Sequence, residues 1–272
     1  MPELPEVEIE RRNLEKWFSN RQLIGAEAEK SRIFRGANRK LFEQMRGQLL
    51  QTHRRGKYLL LAFDGNRGLL AHLGMTGKFV RRARGQTEPY SRARFMLDDD
   101  AVIHFRDTRM FGRLQPTRAD RLFELNAIKG LGRDPLADGL SGPQLKEAVG
   151  PSKRAIKVVL MDQSRIAGLG NIHAAEALFR ARLHPLRKPR NLGAVEWNRL
   201  AKAIHQTIDF ALRQEDSEEI EYVEEPGAEN PFHVYGRAGE PCHRCKTPIQ
   251  SFVLGGRSTY FCPHCQPRRR VR

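Results

Sequence analysis

Four cysteines stand in the last 31 residues of this 272-residue chain: Cys242, Cys245, Cys262 and Cys265, in the pattern C-x2-C-x16-C-x2-C. Two residues between thiolates let each pair reach one ion from a tight turn, and two such knuckles complete a tetrahedral Zn2+ shell. Disulfides would need an oxidising compartment, and the chain is expected to work in a reducing one. Four thiolates leave no position for an activated water, so the expected metal is one structural Zn2+ that folds the segment. Between the knuckles, residues 249–261 predict two short strands joined at Gly255-Gly256, with Arg257 carried outward at the turn of a rigid, basic hairpin. An arginine so placed is suited to probing a phosphate or a groove, although an ordinary solvated arginine has the same sequence.

A second place for chemistry is the amino terminus. If Met1 is removed, Pro2 presents a free secondary amine. An α-amino group has a pKa of about 7.7–8, so part of it is unprotonated at neutral pH. Such an amine can attack a sugar C1′ and form an iminium, with Glu3 beside it to move protons. Spacing alone favours an ordinary terminus that starts a helix. A third candidate is Gly168-Leu-Gly-Asn171, which lies between two helical patterns. Its glycines would let backbone approach a phosphate at a helix start, although glycine at a helix end is more often a cap.

Charge narrows the partner. Lysine and arginine number 48 against 32 acids, for a net charge of +16 and a pI near 10.2. That excess favours a polyanion through attraction and counterion release. No apolar run approaches the roughly 18 residues of a membrane span, and the first ten residues, with four acids, have no leader-like apolar core. A nucleic acid is therefore expected over a membrane. Residues 215–229 hold eight acids and no base, so the rest of the chain is more basic than the total, and this stretch is not expected to lie along phosphates.

The elements that must position these groups follow from periodicity. Leu4, Val7, Leu14, Trp17 and Phe18 predict an amphipathic helix over about 3–19. Strands are expected over 57–63, 68–73, 94–97 and 101–106, with turns at Asp64-Gly65-Asn66 and Asp98-Asp99-Asp100, giving a β-rich amino-terminal domain, a sandwich. Residues 130–150 are loop-rich, and helical patterns follow at about 153–165, 171–182 and 195–213. The expected fold class is α+β multidomain. A β-sandwich domain with an initial helix covers 1–135, a helical DNA-binding domain 136–232, and a zinc β-hairpin with a mobile basic tail 233–272.

Taken together, the motifs resemble those of formamidopyrimidine-DNA glycosylase. Met1-Pro-Glu-Leu-Pro-Glu-Val-Glu8 looks like the opening of that family. Arg54-Arg-Gly-Lys57-Tyr-Leu, His72-Leu-Gly-Met75-Thr-Gly77, Asp107-Thr-Arg109-Met-Phe111-Gly112 and Ala167-Gly-Leu-Gly-Asn171-Ile resemble its later motifs in order, and Val234-Tyr-Gly-Arg-Ala-Gly-Glu-Pro-Cys242 leads into the zinc hairpin. The resemblance spans nearly the whole chain and implies a helix–two-turn–helix in the helical domain. The sister family, endonuclease VIII, typically opens Pro-Glu-Gly-Pro-Glu, whereas this chain has Leu4.

The resemblance implies roles. Pro2 is the Schiff-base nucleophile, Glu3 the proton donor, Lys57 a phosphate contact that assists β-elimination, and Arg257 the group that assists δ-elimination. Met75, Arg109 and Phe111 fill the gap left by an everted nucleotide, and Lys153, Lys157 and Asn171 contact phosphate. The implied partner is double-stranded DNA with damaged bases, kinked in an interdomain cleft. The implied protein is a monomeric, cytoplasmic bacterial enzyme associated with the nucleoid. The chain also departs from the family pattern. Tyr90-Ser-Arg92 replaces the usual His-x-His, which puts a DNA contact at Tyr90 in question, and an acidic 214–225 replaces the Gly-Thr-Thr-rich segment before the lesion-covering tip. Two other readings stay open: a glycosylase for oxidised pyrimidines, and a non-catalytic nucleic-acid binder with the same zinc hairpin.

Overall fold

The computed structural model describes residues 2–36, 38–214, 219–225 and 227–268. The chain divides into two compact units, 1–129 with 214–225 and 130–213 with 226–272, so the zinc hairpin and the helices share one unit. The far basic tail, 269–272, lies outside the described residues, as do 215–218 of the acidic stretch.

The first unit begins with α1 (Leu4–Phe18). Glu3 is its N-cap, Pro5 occupies the first turn where a missing N–H costs nothing, and the Glu6 carboxylate accepts the Glu3 amide at 2.7 Å. Eight strands follow: β1 (Gln22–Ala28), β2 (Gly47–Arg55) after the short helix α2 (Asn38–Glu43), β3 (Tyr58–Phe63), β4 (Arg67–His72), β5 (Lys78–Ala83), β6 (Ser91–Leu97), β7 (Ala101–Arg106) and β8 (Arg113–Arg118). They run in the order β5-β7-β6-β1-β2-β3-β4-β8, with only Gln22–Gln48 and Leu23–Gly47 paired where β1 meets β2. The strand set folds on this narrow joint into a sandwich. Leu59, Leu61 and Phe63 alternate inward on β3, Leu69 and Ala71 on β4, Phe95 and Leu97 on β6, and Ile103 and Phe105 on β7. Phe18 of α1 meets Phe63 from one half at 5.6 Å and Phe95 from the other at 5.9 Å, both edge-on. The expected strands are thus present. β1, β2, β5 and β8 are additional, and α3 (Asn126–Lys129) closes the unit.

The acidic segment within the described residues docks on this same unit. Lys78, nearly buried, donates to Ile220 O at 2.9 Å and pairs with Glu225 at 3.2 Å, while Arg82 pairs with Glu219 at 3.0 Å. Tyr222 is buried and its hydroxyl donates to Gly77 O at 2.6 Å. Glu219 and Glu225 therefore face cations of the sandwich.

The second unit contains α4 (Gly142–Val149), α5 (Ile156–Leu160), α6 (Asn171–Arg180), α7 (Ala194–Gln214) and the hairpin β9 (Gln250–Leu254) with β10 (Arg257–Phe261). α4 lies in the stretch expected to be loop. Ser141 and Gln144 form a reciprocal capping box, with Pro143 in the first turn. α5 is shorter than its periodic pattern, since residues 153–155 precede it and Met161 caps it. Buried Glu176 of α6 accepts the backbone amides of His233, Val234 and Tyr235 at 3.0, 2.8 and 3.0 Å. It thereby ties the chain leading to the zinc knuckles onto α6, where Ala175 and Phe179 pack with Val234, Cys242, Ile249 and Cys262. Glu176→Ala leaves one buried and two part-buried amides without this acceptor, and should lower the unfolding free energy by roughly 2–4 kcal/mol in a denaturant titration. A change under about 0.5 kcal/mol would contradict this role.

Candidate active site and nucleic-acid interface

Pro2 is buried directly ahead of the first helix, and Glu3 is fully buried as the helix cap, its carbonyl accepting the Val7 amide at 3.1 Å. The start of α1 is fastened to the β2–β3 hairpin. Arg54 is nearly buried. Its Nε donates to Glu8 Oε2 at 3.1 Å and its Nη1 to Gly56 O at 3.0 Å. Arg11 of the same helix donates to Glu8 and to Thr52 Oγ1 of β2. Burial pushes the Glu8 carboxyl up, but hydrogen bonds and charge from Arg11 and Arg54 outweigh it and hold the carboxyl below its usual range. Gly56 and Lys57 are the two turn residues between Arg55 and Tyr58, so Lys57 stands at the tip of the hairpin that Arg54 grips. Arg54 has no role in the expectations from sequence. The signal for it is an arginine in a frame of β2 that the pleat turns inward.

His72, at the end of β4, links this hairpin to the next motif. Its ring lies 4.8 Å from that of Tyr58, and its Nδ1 accepts the Gly74 amide at 3.0 Å. Burial, then the charges of Lys57 and Arg113, lower its pKa to about 4, so the imidazole is neutral at physiological pH. The turn that follows carries Met75, half-buried. Gly74 lies so close to the Phe111–Gly112 backbone that an added Cβ would sit 2.4 Å from Phe111 C and Gly112 N. Fully buried Asp107 fixes both turns. Its carboxylate accepts from Thr76 Oγ1 at 2.6 Å, the Arg109 amide at 3.2 Å and the Gly112 amide at 2.8 Å. Met75, Arg109 and Phe111 are thereby carried on two turns that share one acid. Phe111 is 46% exposed, with the Arg109 guanidinium 4.9 Å from its ring centre. Asp107 opens a recognised motif without a role of its own in the expectations; an acid between an apolar strand and a glycine turn is the available signal. Tyr90 is exposed at φ +60°, and its carbonyl accepts the Asp107 amide at 3.1 Å, which places it at the edge of this loop system.

In the second unit, Lys153 is exposed ahead of α5, and Asn171 opens α6 after the Gly168–Gly170 loop, which Gln163 holds through Gly168 N and Leu169 O. The resemblance gives Lys157 a phosphate contact, and the structure places its side chain inside the protein. It is fully buried, and its ammonium donates to Asn171 Oδ1 at 2.5 Å, Thr259 Oγ1 at 2.7 Å and Ser258 O at 3.0 Å. Its three donors thus join α5 and α6 to the zinc hairpin, and it orients Asn171 instead of meeting solvent itself. At the hairpin turn Gly255 and Gly256 both have positive φ, +58° and +73°, the conformation a two-residue turn of matching twist requires. Arg257, opposite Leu254, is exposed at its first strand position.

The Sγ atoms of Cys242, Cys245, Cys262 and Cys265 all lie within 4.8 Å of one another. Thiolates about 2.3 Å from one tetrahedral Zn2+ stand about 3.8 Å apart, and the 4.0 Å Cys242–Cys265 and 3.4 Å Cys245–Cys262 separations bracket that value. Each knuckle is a closed turn: the Lys246 amide donates to Cys242 O at 2.8 Å and the Gln266 amide to Cys262 O at 2.9 Å. The four cysteines hold one structural zinc, and the shell has no vacancy for substrate.

Two outcomes are expected. Cys245→Ser should lose the single equivalent of zinc and weaken duplex binding; full metal content would contradict the ligand set. Because the folded pKa of His72 lies below its unfolded value of about 6.5, its contribution to stability is complete above pH 6.5 and is lost as pH falls towards 4, with about 2 kcal/mol gone by pH 5. The denaturation midpoint should therefore fall more steeply from pH 7.5 to 5 in the wild type than in His72→Gln, and parallel slopes would contradict the assignment.

Comparison with known proteins agrees with this geometry. The formamidopyrimidine-DNA glycosylase N-terminal domain model matches residues 1–114, the H2TH domain model of the same enzyme matches 131–221, and the zinc finger found in FPG and IleRS matches 239–268. A formamidopyrimidine-DNA glycosylase of Desulfitobacterium hafniense is 38% identical over 273 residues, covering 98% of this chain and all of that protein. The crystal structure of the MutM (FPG) protein from Thermus thermophilus superposes with a TM-score of 0.83 at 37% identity, covering 99% of this chain and all of that one. That of Lactococcus lactis FPG with a FAPY-dG containing DNA superposes with a TM-score of 0.87 at 30% identity, covering 98% and 100%. The chain belongs to the formamidopyrimidine-DNA glycosylase family.

Proposed function

We propose that this chain is a bifunctional DNA glycosylase and AP lyase of base excision repair, acting on formamidopyrimidines and 8-oxoguanine in duplex DNA. The observation that carries this reading is the start of α1: Pro2 and buried Glu3, fastened through Glu8 and Arg54 to the hairpin that bears Lys57. With Met1 removed, the Pro2 nitrogen attacks C1′ of the damaged nucleotide. The C1′–base bond breaks, and Glu3 supplies a proton during base departure and sugar opening. The product is an iminium between Pro2 and C1′. It acidifies the C2′ proton, whose removal expels the 3′ phosphate by β-elimination; δ-elimination then expels the 5′ phosphate, and hydrolysis of the imine restores Pro2. Lys57 and Arg257 stabilise the departing phosphates. Met75, Arg109 and Phe111 fill the space of the everted nucleotide. Asn171, oriented by Lys157, and Lys153 hold phosphate, and Tyr90 borders the loops that carry Arg109 and Phe111.

The net charge of +16 supports a DNA partner, and among the described residues no helix is long and apolar enough to cross a membrane. A monomer acting on the nucleoid in the cytoplasm fits this reading. A second substrate class, oxidised pyrimidines, is favoured by the docked segment 219–225, whose Tyr222 is committed to Gly77 O. Excision assayed over a panel of oxidised purines and pyrimidines separates the two. Preferential release of formamidopyrimidine and 8-oxoguanine is expected, and faster release of pyrimidine lesions would replace the first reading with the second. Pro2→Gly should lose base excision by roughly 100-fold or more, on the order of a removed covalent catalyst, while binding abasic-site DNA as the wild type does. Unchanged turnover would contradict the mechanism.

A further inference from the structure

Arg32 follows β1 and belongs to none of the motifs above, yet it grips the loop that carries Arg109 and Phe111. Its Nη2 donates to Arg109 O at 2.6 Å and its Nε to Met110 O at 3.0 Å, and its guanidinium carbon lies 5.0 Å from the Phe111 ring centre. Met110 has a φ of +56°, a conformation L residues seldom hold unless their surroundings impose it. Other polar groups of the loop are fastened from elsewhere. Asp107 takes the amides of Arg109 and Gly112, and Arg92 Nε donates to Asp107 O at 3.0 Å. The carbonyls at Arg109 and Met110 are the side of the loop that Asp107 cannot reach, and the rigid fork of Arg32 reaches both. A lysine, with its donors on one nitrogen at the end of a flexible stem, cannot reproduce that fork.

The ring of Phe111 thus stands 46% exposed with two guanidinium groups against it, 4.9 Å from Arg109 and 5.0 Å from Arg32. An apolar ring already held exposed between two guanidinium groups is placed to enter a stacked duplex. We propose that Arg32 is a positioning residue. It holds the Arg109–Phe111 pair in the form that meets the strand opposite the lesion, and so sets how the enzyme discriminates the base found there. This inference rests on the reading of Arg109 and Phe111 as the pair that fills the emptied position.

The test is a double-mutant cycle with a readout that a merely structural role would not move. Excision of 8-oxoguanine is measured opposite cytosine and opposite adenine for wild type, Arg32→Lys, Phe111→Ala and the double variant. Zinc content and Tm are recorded for each, and Arg32→Gln is a second substitution that also lacks the fork. The cytosine-to-adenine ratio of kcat/KM should fall about tenfold in Arg32→Lys and in Arg32→Gln, with zinc content kept, and Arg32→Lys should change it no further in the Phe111→Ala background. An unchanged ratio in both Arg32 variants, or losses that add in the double variant, overturns the proposal for Arg32 while leaving Phe111 in its role. An unchanged ratio in Phe111→Ala overturns the gap-filling reading, and the proposal for Arg32 falls with it.

Discussion

A terminal amine serves as a nucleophile only if the chain behind it is held still, and a chain end is ordinarily the least restrained part of a protein. Here the restraint is a buried ion pair. Glu8 lies one turn into α1, and Arg54 bonds to it at 3.1 Å while also gripping Gly56 O. Breaking one partner would strand the other charge in a poorly solvated place, which is far costlier than the net worth of the pair. The interaction therefore acts as a register lock: the helix cannot slide along β2 without exposing a charge to apolar surroundings. The amino end of the helix and the tip of the β2–β3 hairpin are fixed in the same step, and every role assigned to Pro2, Glu3 and Lys57 presupposes it.

The same construction recurs away from that helix. Asp107 is a buried acid whose acceptors are all taken by the two turns it joins, and Glu176 is another, holding three consecutive amides ahead of the zinc knuckles. Lys157 is the cationic counterpart, buried among acceptors from α6 and β10. In each case one charged group, too expensive to leave unpaired, specifies a loop geometry that apolar packing alone would leave loose. The groups proposed to meet DNA lie on those loops: Met75 and Phe111 around Asp107, Asn171 beside Lys157, Arg257 at the tip of the hairpin.

How much of this was legible in the sequence depended on whether the signal was local. The strands at 58–63 and 101–106 were legible because 59/61/63 and 101/103/105 face one core and the turns between strands are marked by Asp, Gly and Asn. Strand β2 was not, since Gln48, Gln51 and His53 are polar and the strand is largely exposed along its length. α4 was missed because Ser141-Gly-Pro143 reads as loop punctuation, while the same residues are the cap and first turn of a helix. The zinc ligands were legible from spacing alone. The role proposed for Pro2 was not; only the resemblance of the motifs taken together implies it. The burial of Lys157 had no local signal at all, because two of its acceptors, Ser258 and Thr259, lie about a hundred positions along the chain. The acid-rich composition of 215–229 was legible, but the pairing of Glu225 with Lys78 and of Glu219 with Arg82 is a tertiary fact.

The atom that bonds to the sugar decides the chemistry. The direct measurement is borohydride reduction during turnover on DNA that contains 8-oxoguanine, followed by proteolysis and mass spectrometry of the nucleotide-bearing peptide. A modified peptide that begins at Pro2, with the adduct on its imino nitrogen, is expected. An adduct on a lysine, or fully active enzyme that still carries Met1, would contradict it.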